Sequence, residues 1–262
     1  MAMQVMNSIF KNQQRIPWLG KESTGNVWIY VSSVVEDEHL VGDILEMLDE
    51  DEICRARSFK LQMDRKAYIT AHGLLRSVLS SHFPITPKDW NFHKSAFGKP
   101  EQINFPGGVY FNISHTRGMV CCALSSYPIG IDIENIKVFD SFSGSILPLN
   151  SKEIADINQL PDSARGLRTA VCWTLRESLL KGTGEGISGL SKDFQFCFDE
   201  GEVKLKSNLA SCLEQWQFVT YSINDVYIVS VSINPACDVP TVYISAPKAR
   251  LVRASRGITI IH

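Results

Sequence analysis

An α+β fold of two similar halves, each a small antiparallel sheet with a packed long helix, is what this 262-residue sequence predicts. Three observations point to it. Short runs rich in β-branched and aromatic residues recur along the chain, two long stretches (64–79 and 163–181) carry helical spacing, and the order strand, helix, long helix, strands occurs twice. The repeat divides the chain into residues 1–128 and residues 129–262, the second half carrying a C-terminal tail. A hydrophobic content of 44% is enough to bury a full core at this length.

In the first half, Val27 to Val31 reads as a strand, and an acidic-then-basic stretch over 43–57 reads as a helix. Over 64–79, Ala67, Leu74, Leu75 and Val78 share one helical face, with Arg65, Lys66 and Arg76 available to the other, and the Pro84 region ends the helix. Strands at 109–113, 119–125 and 129–133, separated by turns at Thr116-Arg117-Gly118 and Tyr127-Pro128, predict a three-stranded meander. In the second half, Asn150 or Ser151 caps a helix, and a long helix over 163–181 stops at Gly182. Further strands follow at 194–198, 216–221 and 226–233.

A formal charge of −2 lacks the basic excess of a protein that coats nucleic acid, so any anion must be bound by local charge. The seven cysteines are odd in number and include no Cys-x-x-Cys pair, which suits reduced thiols in a cytoplasm better than a disulfide framework. Near the N-terminus, Lys11, Gln13, Gln14 and Arg15 interrupt the apolar residues before a signal-peptide core or membrane span forms.

Chemistry concentrates in two acidic motifs. In Ile129-Gly130-Ile131-Asp132-Ile133-Glu134, alternation puts the isoleucines on one strand face and Gly130, Asp132 and Glu134 on the other. Two neighbouring carboxylates repel, so water or a hard cation must compensate them, and an all-oxygen pair suits magnesium or manganese. Gly130 is expected to leave space beside them. On the second long helix, Trp173, Glu177 and Lys181 lie at i, i+4 spacing on one face. Either motif alone is more simply a solvated surface. The glycines after Lys181 do not form a phosphate loop, because they follow the helix, whose C-terminus repels anions.

Two weaker signals suit anions. Phe97-Gly98-Lys99-Pro100 is a turn combining close backbone approach with a point charge, and Ser114-His115 ends a strand with a hydroxyl and an imidazole.

Taken in order, Gly98-Lys99-Pro100, Phe111-Asn112-Ile113-Ser114-His115, Gly130-Ile131-Asp132-Ile133-Glu134 and Trp173 to Lys181 resemble the signature motifs of phosphopantetheinyl transferases. Arg55-Ala56-Arg57-Ser58-Phe59 followed by Asp64-Arg65 resembles the family's arginine-rich segment, and the length resembles the pseudodimeric, monomeric, surfactin-synthetase-activating type. The resemblance implies Mg-dependent transfer of the 4'-phosphopantetheine of coenzyme A to a serine of an apo acyl or peptidyl carrier protein, releasing 3',5'-ADP. It implies Asp132, Glu134 and Glu177 as ligands of magnesium, with manganese possible, and Lys181 as the partner of the pyrophosphate. Arg55, Lys99, Ser114 and His115 would hold the 3'-phosphate, with the backbone around Gly98 and Pro100 along the adenine. Glu153 resembles the family's general base, although Leu149-Asn150 replaces the family's aromatic-serine start. Carrier proteins are acidic, which makes Ile136, Lys137 and Val138, and the tail with Lys248, Arg250, Arg253 and Arg256, candidate contacts.

Two rivals stand beside this reading: a catalytically silent carrier-protein or coenzyme A binding module of the same fold, and a magnesium-dependent phosphatase or nucleotidyl hydrolase using the same carboxylates. Intact Asp132, Glu134, Glu177 and Lys181 argue against the first.

Overall fold

The computed structural model describes residues 25–94, 100–102, 109–140, 147–184, 194–207, 213–235, 240–246 and 248–261. The first half runs β1 (Asn26–Ser33), α1 (Glu38–Leu45), α2 (Glu50–Ser58), α3 (Gln62–His82), β2 (Phe92–Lys94), β3 (Pro100–Gln102), β4 (Tyr110–Thr116) and β5 (Met119–Ser125). The second runs β6 (Ile129–Asn135), α4 (Ser151–Asn158), α5 (Asp162–Thr183), β7 (Phe194–Asp199), β8 (Glu202–Ser207), β9 (Gln217–Ile223) and β10 (Tyr227–Ile233). Three strands follow: β11 (Thr241–Ser245), β12 (Ala249–Ala254) and β13 (Thr259–Ile261).

The expected single helix over 43–57 is two helices. Asp49 breaks it by accepting the Glu52 amide at 2.8 Å while Glu52 accepts the Asp49 amide at 3.0 Å, a reciprocal cap that starts α2 afresh. The same device starts α4, where Asn150 accepts the Glu153 amide at 2.9 Å and Glu153 accepts the Asn150 amide at 3.0 Å. The long helix α5 runs past Gly182 and ends at Gly184, whose φ of 76° a residue without Cβ adopts freely.

The strands form two sheets, with orders β13-β11-β1-β5-β4 and β6-β10-β9-β12-β8-β7. The expected meander is therefore wrong at its third strand. Both edges of β5 are taken by β1 and β4, so β6 turns away after Pro128 and pairs with β10 instead. Nor are the sheets wholly antiparallel, because β11 joins β1 in parallel and carries residues of the expected C-terminal half into the first sheet.

Both faces of each sheet are buried, giving four layers. Val27, Ile29 and Val31 of β1 pack across the middle against Ile129, Ile131 and Ile133 of β6 and their neighbours. The outer face of the first sheet, with Trp28, Tyr30 and Leu124, receives Ala67, Ala71, Leu74, Leu75 and Val78 of α3. The outer face of the second, with Phe218 and Ile228, receives Ala170, Val171, Leu175 and Leu179 of α5. Full burial of each such side chain contributes roughly 1.5–3 kcal/mol, which is why this layering dominates the fold.

Candidate active site

The edge strands β4 and β6 belong to different sheets but lie side by side. Alternate residues of β4 bridge them: Asn112 accepts the Ile131 amide at 2.9 Å, Ser114 donates to Asp132 Oδ1 at 2.8 Å, and Thr116 donates to Glu134 Oε2 at 3.1 Å. Strand periodicity thus sends Asp132 and Glu134 toward α5 and away from the isoleucine layer. Gly130 does not leave the expected open space. A Cβ there would strike the Ser178 carbonyl and the Gly182 amide, so the glycine lets α5 lie directly on β6.

Where this edge meets α3 and α5 lies an open cavity of about 390 Å³. Its second-half wall carries Asp132, Glu134, Trp173, Glu177 and Lys181, and its first-half wall carries Tyr68, His72, Ser114 and His115. Lys181 Nζ donates to Asp132 Oδ1 at 2.6 Å and to Ser114 Oγ at 2.8 Å.

Burial, reinforced by the charge of Asp132, pushes the Glu134 carboxyl up to about 7, against opposing bonds from Thr116 and Trp173. Burial and Asp132 also push Glu177 up. Burial works against the Lys181 ammonium, but the Asp132 carboxylate outweighs it and holds Lys181 above the ordinary lysine range. His115 is held down, first by burial and then by Lys181.

The donor set suits a hard cation in its chemistry. Asp132 Oδ2 and Glu177 Oε1 are buried without a hydrogen-bond partner, which is costly for carboxylate oxygens unless a cation meets them. The three carboxylates share the cavity without converging. No group of three or more His, Cys, Asp or Glu among the described residues is drawn together closely enough to hold a metal.

Other expected site residues fall elsewhere. Arg55 lies exposed on α2, its guanidinium 5.2 Å from the Phe59 ring centre, close enough for Tyr68 to feel its charge but outside the cavity wall. Gly98 and Lys99 lie outside the described residues, and Pro100 opens β3, paired with Lys94. Glu153 is not brought to the cavity. One of its oxygens accepts the Phe196 amide at 2.9 Å, and the other accepts Arg176 at 2.7 Å and the Asn150 amide. At 2% exposure it clamps α4, α5 and β7 together. Ile136 to Phe139 forms a short 3-10 turn beyond β6 with Val138 59% exposed. In the tail, Arg250 pairs with Asp225 at 2.8 Å and Arg256 with Glu202 at 3.0 Å.

Tyr68 and His72 were not anticipated. Their signal was available in the sequence: with Arg76 they lie at i, i+4, i+8, a polar and aromatic stripe on a helix whose other face is apolar.

Residues 128–231 match the family model of the 4'-phosphopantetheinyl transferase superfamily. The 4'-phosphopantetheinyl transferase HetI of Nostoc sp. is 29% identical over 164 residues, covering 60% of this chain and 68% of that protein. The 4'-phosphopantetheinyl transferase psf-1 of Bacillus pumilus is 27% identical over 179 residues, covering 67% and 74%. The 4'-phosphopantetheinyl transferase Sfp of Bacillus subtilis is 31% identical over 134 residues, covering 51% and 59%.

Proposed function

The chain belongs to the 4'-phosphopantetheinyl transferase superfamily, and from that premise we propose that its cavity transfers the phosphopantetheine arm of coenzyme A to a carrier-protein serine. The observation that carries this reading is the meeting of Asp132, Glu134, Glu177 and Lys181 at one cavity, where two buried carboxylate oxygens lack a partner.

Asp132, Glu134 and Glu177 are the residues that would hold magnesium, or manganese, which supplies charge neutralisation for a bound pyrophosphate. Lys181 contributes a fixed positive charge at the same wall, held by Asp132 and Ser114 where charge gathers on the leaving group. The serine oxygen forms a bond to the β-phosphorus, the bond to the bridging oxygen breaks, the serine proton passes to water and 3',5'-ADP departs. Rigid placement of these groups on a strand and a helix favours attack by holding the reacting atoms in line. Glu153 enters as the clamp on α5, the helix that carries Glu177 and Lys181.

The division at residues 128 and 129 is part of this reading. Each half supplies one wall, so a single chain suffices and the protein acts as a monomer. Its macromolecular partner is an acidic carrier protein. Among the described residues no helix is long and apolar enough to cross a membrane.

Incubation with fluorescent coenzyme A, magnesium and an apo-carrier protein tests the proposal. Label on the carrier that disappears with Glu177→Ala is expected. No transfer by the folded wild type to any of a broad panel of carriers would sink it.

A further inference from the structure

The helix motif that supplies Glu177 and Lys181 also carries Thr174 and Ser178, which the transfer chemistry above leaves unused. Each stands three residues before a functional group, so one hydroxyl lies a turn behind Glu177 and the other a turn behind Lys181. Both are fully buried, and both meet hydroxyls of the second sheet. Ser230 of β10 is 2.8 Å from Thr174 and 3.0 Å from Thr220 of β9, and Ser232 of β10 is 2.6 Å from Ser178. The surroundings are otherwise apolar: Ala170, Leu175, Leu179, Phe218 and Ile228.

The helix carbonyls assign the protons. Thr174 donates to the Ala170 carbonyl at 2.9 Å and Ser178 to the Leu175 carbonyl at 2.9 Å, since a carbonyl can only accept. A hydroxyl has a single proton, so Ser230 donates to Thr174, Thr220 donates to Ser230, and Ser232 donates to Ser178. No donor in this set is left over.

The sheet ends of these bonds stand beside the acidic strand. Ser230 lies opposite Asp132, and Ser232 lies opposite Gly130, whose missing Cβ admits the Ser178 carbonyl. The helix is therefore tied at two points to the strand next to the one that carries Asp132. Apolar contact is non-directional, and a helix that slides by one residue moves by about 1.5 Å, against the roughly 0.5 Å within which a reacting constellation must be held. The first half supplies the contrast. With Arg76 matched to Arg176, Leu74 and Val78 stand where Thr174 and Ser178 stand. On the sheet, Cys122 and Leu124, opposite Tyr30 and Trp28, stand where Ser230 and Ser232 stand. All four pack into one apolar cluster, so the helix without a carboxylate or ammonium to align has no such ties.

We propose that Thr174 and Ser178, tied to Ser230 and Ser232, are positioning residues that set the axial register of α5 and so align Glu177 and Lys181 with Asp132. This rests on the transferase reading for the reaction that the alignment serves.

Two readouts on the full-length protein test it: steady-state transfer to an apo-carrier, and Mn2+ binding followed by electron paramagnetic resonance with coenzyme A present. Thr174→Val and Ser230→Ala remove the tie at nearly constant volume. Each is expected to lower kcat and to weaken Mn2+ by about tenfold, with KM for the carrier within about twofold. Thr174→Ser, which keeps the hydroxyl, should recover most of both losses. The double variant of Thr174→Val with Ser230→Ala should be no worse than either single one, because both remove the same bond. Thr220→Val deletes an equally buried hydroxyl that does not touch α5, and should leave kcat and Mn2+ affinity within about twofold even where urea unfolding shows lost stability. Unchanged kcat and Mn2+ affinity in Thr174→Val, losses that multiply in the double variant, or a Thr220→Val loss equal to that of Ser230→Ala overturns the assignment. Should Ser230→Ala not fold, Thr174→Val against Thr174→Ser decides it. A wild type that binds Mn2+, with these differences among its variants, but modifies no carrier overturns the transferase reading and leaves the register assignment standing. A wild type that neither binds Mn2+ nor modifies a carrier overturns both.

Discussion

The two halves use one plan, and they differ where the chemistry is. Asp49 and Asn150 cap corresponding helices, and Glu52 and Glu153 occupy the third position of each. Each glutamate takes a buried arginine from the long helix, Arg76 or Arg176. Those guanidiniums lie over Phe92 at 5.0 Å and Phe194 at 4.1 Å, each ring at the start of the next strand. Counting from the arginines, Ser77 and Ser81 stand where Glu177 and Lys181 stand. Counting back from the paired ends of β1–β5 and β6–β10, Trp28 and Tyr30 stand where Gly130 and Asp132 stand. One half fills its interior with Trp28 and joins Tyr30 Oη to His82 Nε2 at 2.7 Å; the other brings its helix backbone against a glycine and joins Asp132 to Lys181 at 2.6 Å. A shared frame thus tolerates either a sealed neutral pair or an open charged one, and the charged pair lines the cavity.

The largest test of this comparison targets the clamps. Glu153→Ala strands Arg176, 3% exposed, without its carboxylate, and is expected to cost about 3–5 kcal/mol of stability, with Glu52→Ala costing a similar amount. Urea unfolding checks both. Full stability with lost transfer in Glu153→Ala would mean the residue acts on substrate and the halves are not built alike.

A slightly smaller effect separates the neutral pair from the charged one. Burial holds the His82 imidazole down at about 4, against 6.5 ordinarily. Between those values the unfolded chain binds a proton that the folded chain refuses, so the contribution is full above 6.5 and lost as the pH falls to 4. The loss amounts to roughly 3 kcal/mol. His82→Gln should remove this part of the pH dependence, read as the difference between variant and wild type in unfolding at pH 7 and pH 4.5. Parallel pH profiles for the two proteins would contradict it.

The smallest change concerns the glycine. Gly130→Ala places a methyl against the backbone of α5 and is expected to destabilise by about 1–3 kcal/mol. It should also lower transfer by shifting Lys181 from Asp132. An active, equally stable variant would show that the close approach of β6 and α5 is dispensable.

Much of this arrangement was legible in the sequence, because it depends on local periodicity. Alternation around Asp132 placed it opposite the isoleucines, and the i, i+4 spacing of Trp173, Glu177 and Lys181 placed all three at the cavity. What escaped depended on partners distant in the chain. The departure of β6 from β5 is decided by β1 occupying the far edge of β5, and the burial of Glu153 by Arg176, 23 residues on. His72 carried only its helical spacing in the sequence, and its bond to Glu52, on a separate helix, is a tertiary contact that spacing does not encode.

The parallel pairing of β11 with β1 has a structural consequence for the whole chain. Val242 returns to the layer between the sheets and covers an edge of β1 whose peptide groups would otherwise face solvent. The first half therefore depends on residues synthesised late in the second, and a chain cut before Thr241 would expose a strand ready to recruit other molecules into aggregates.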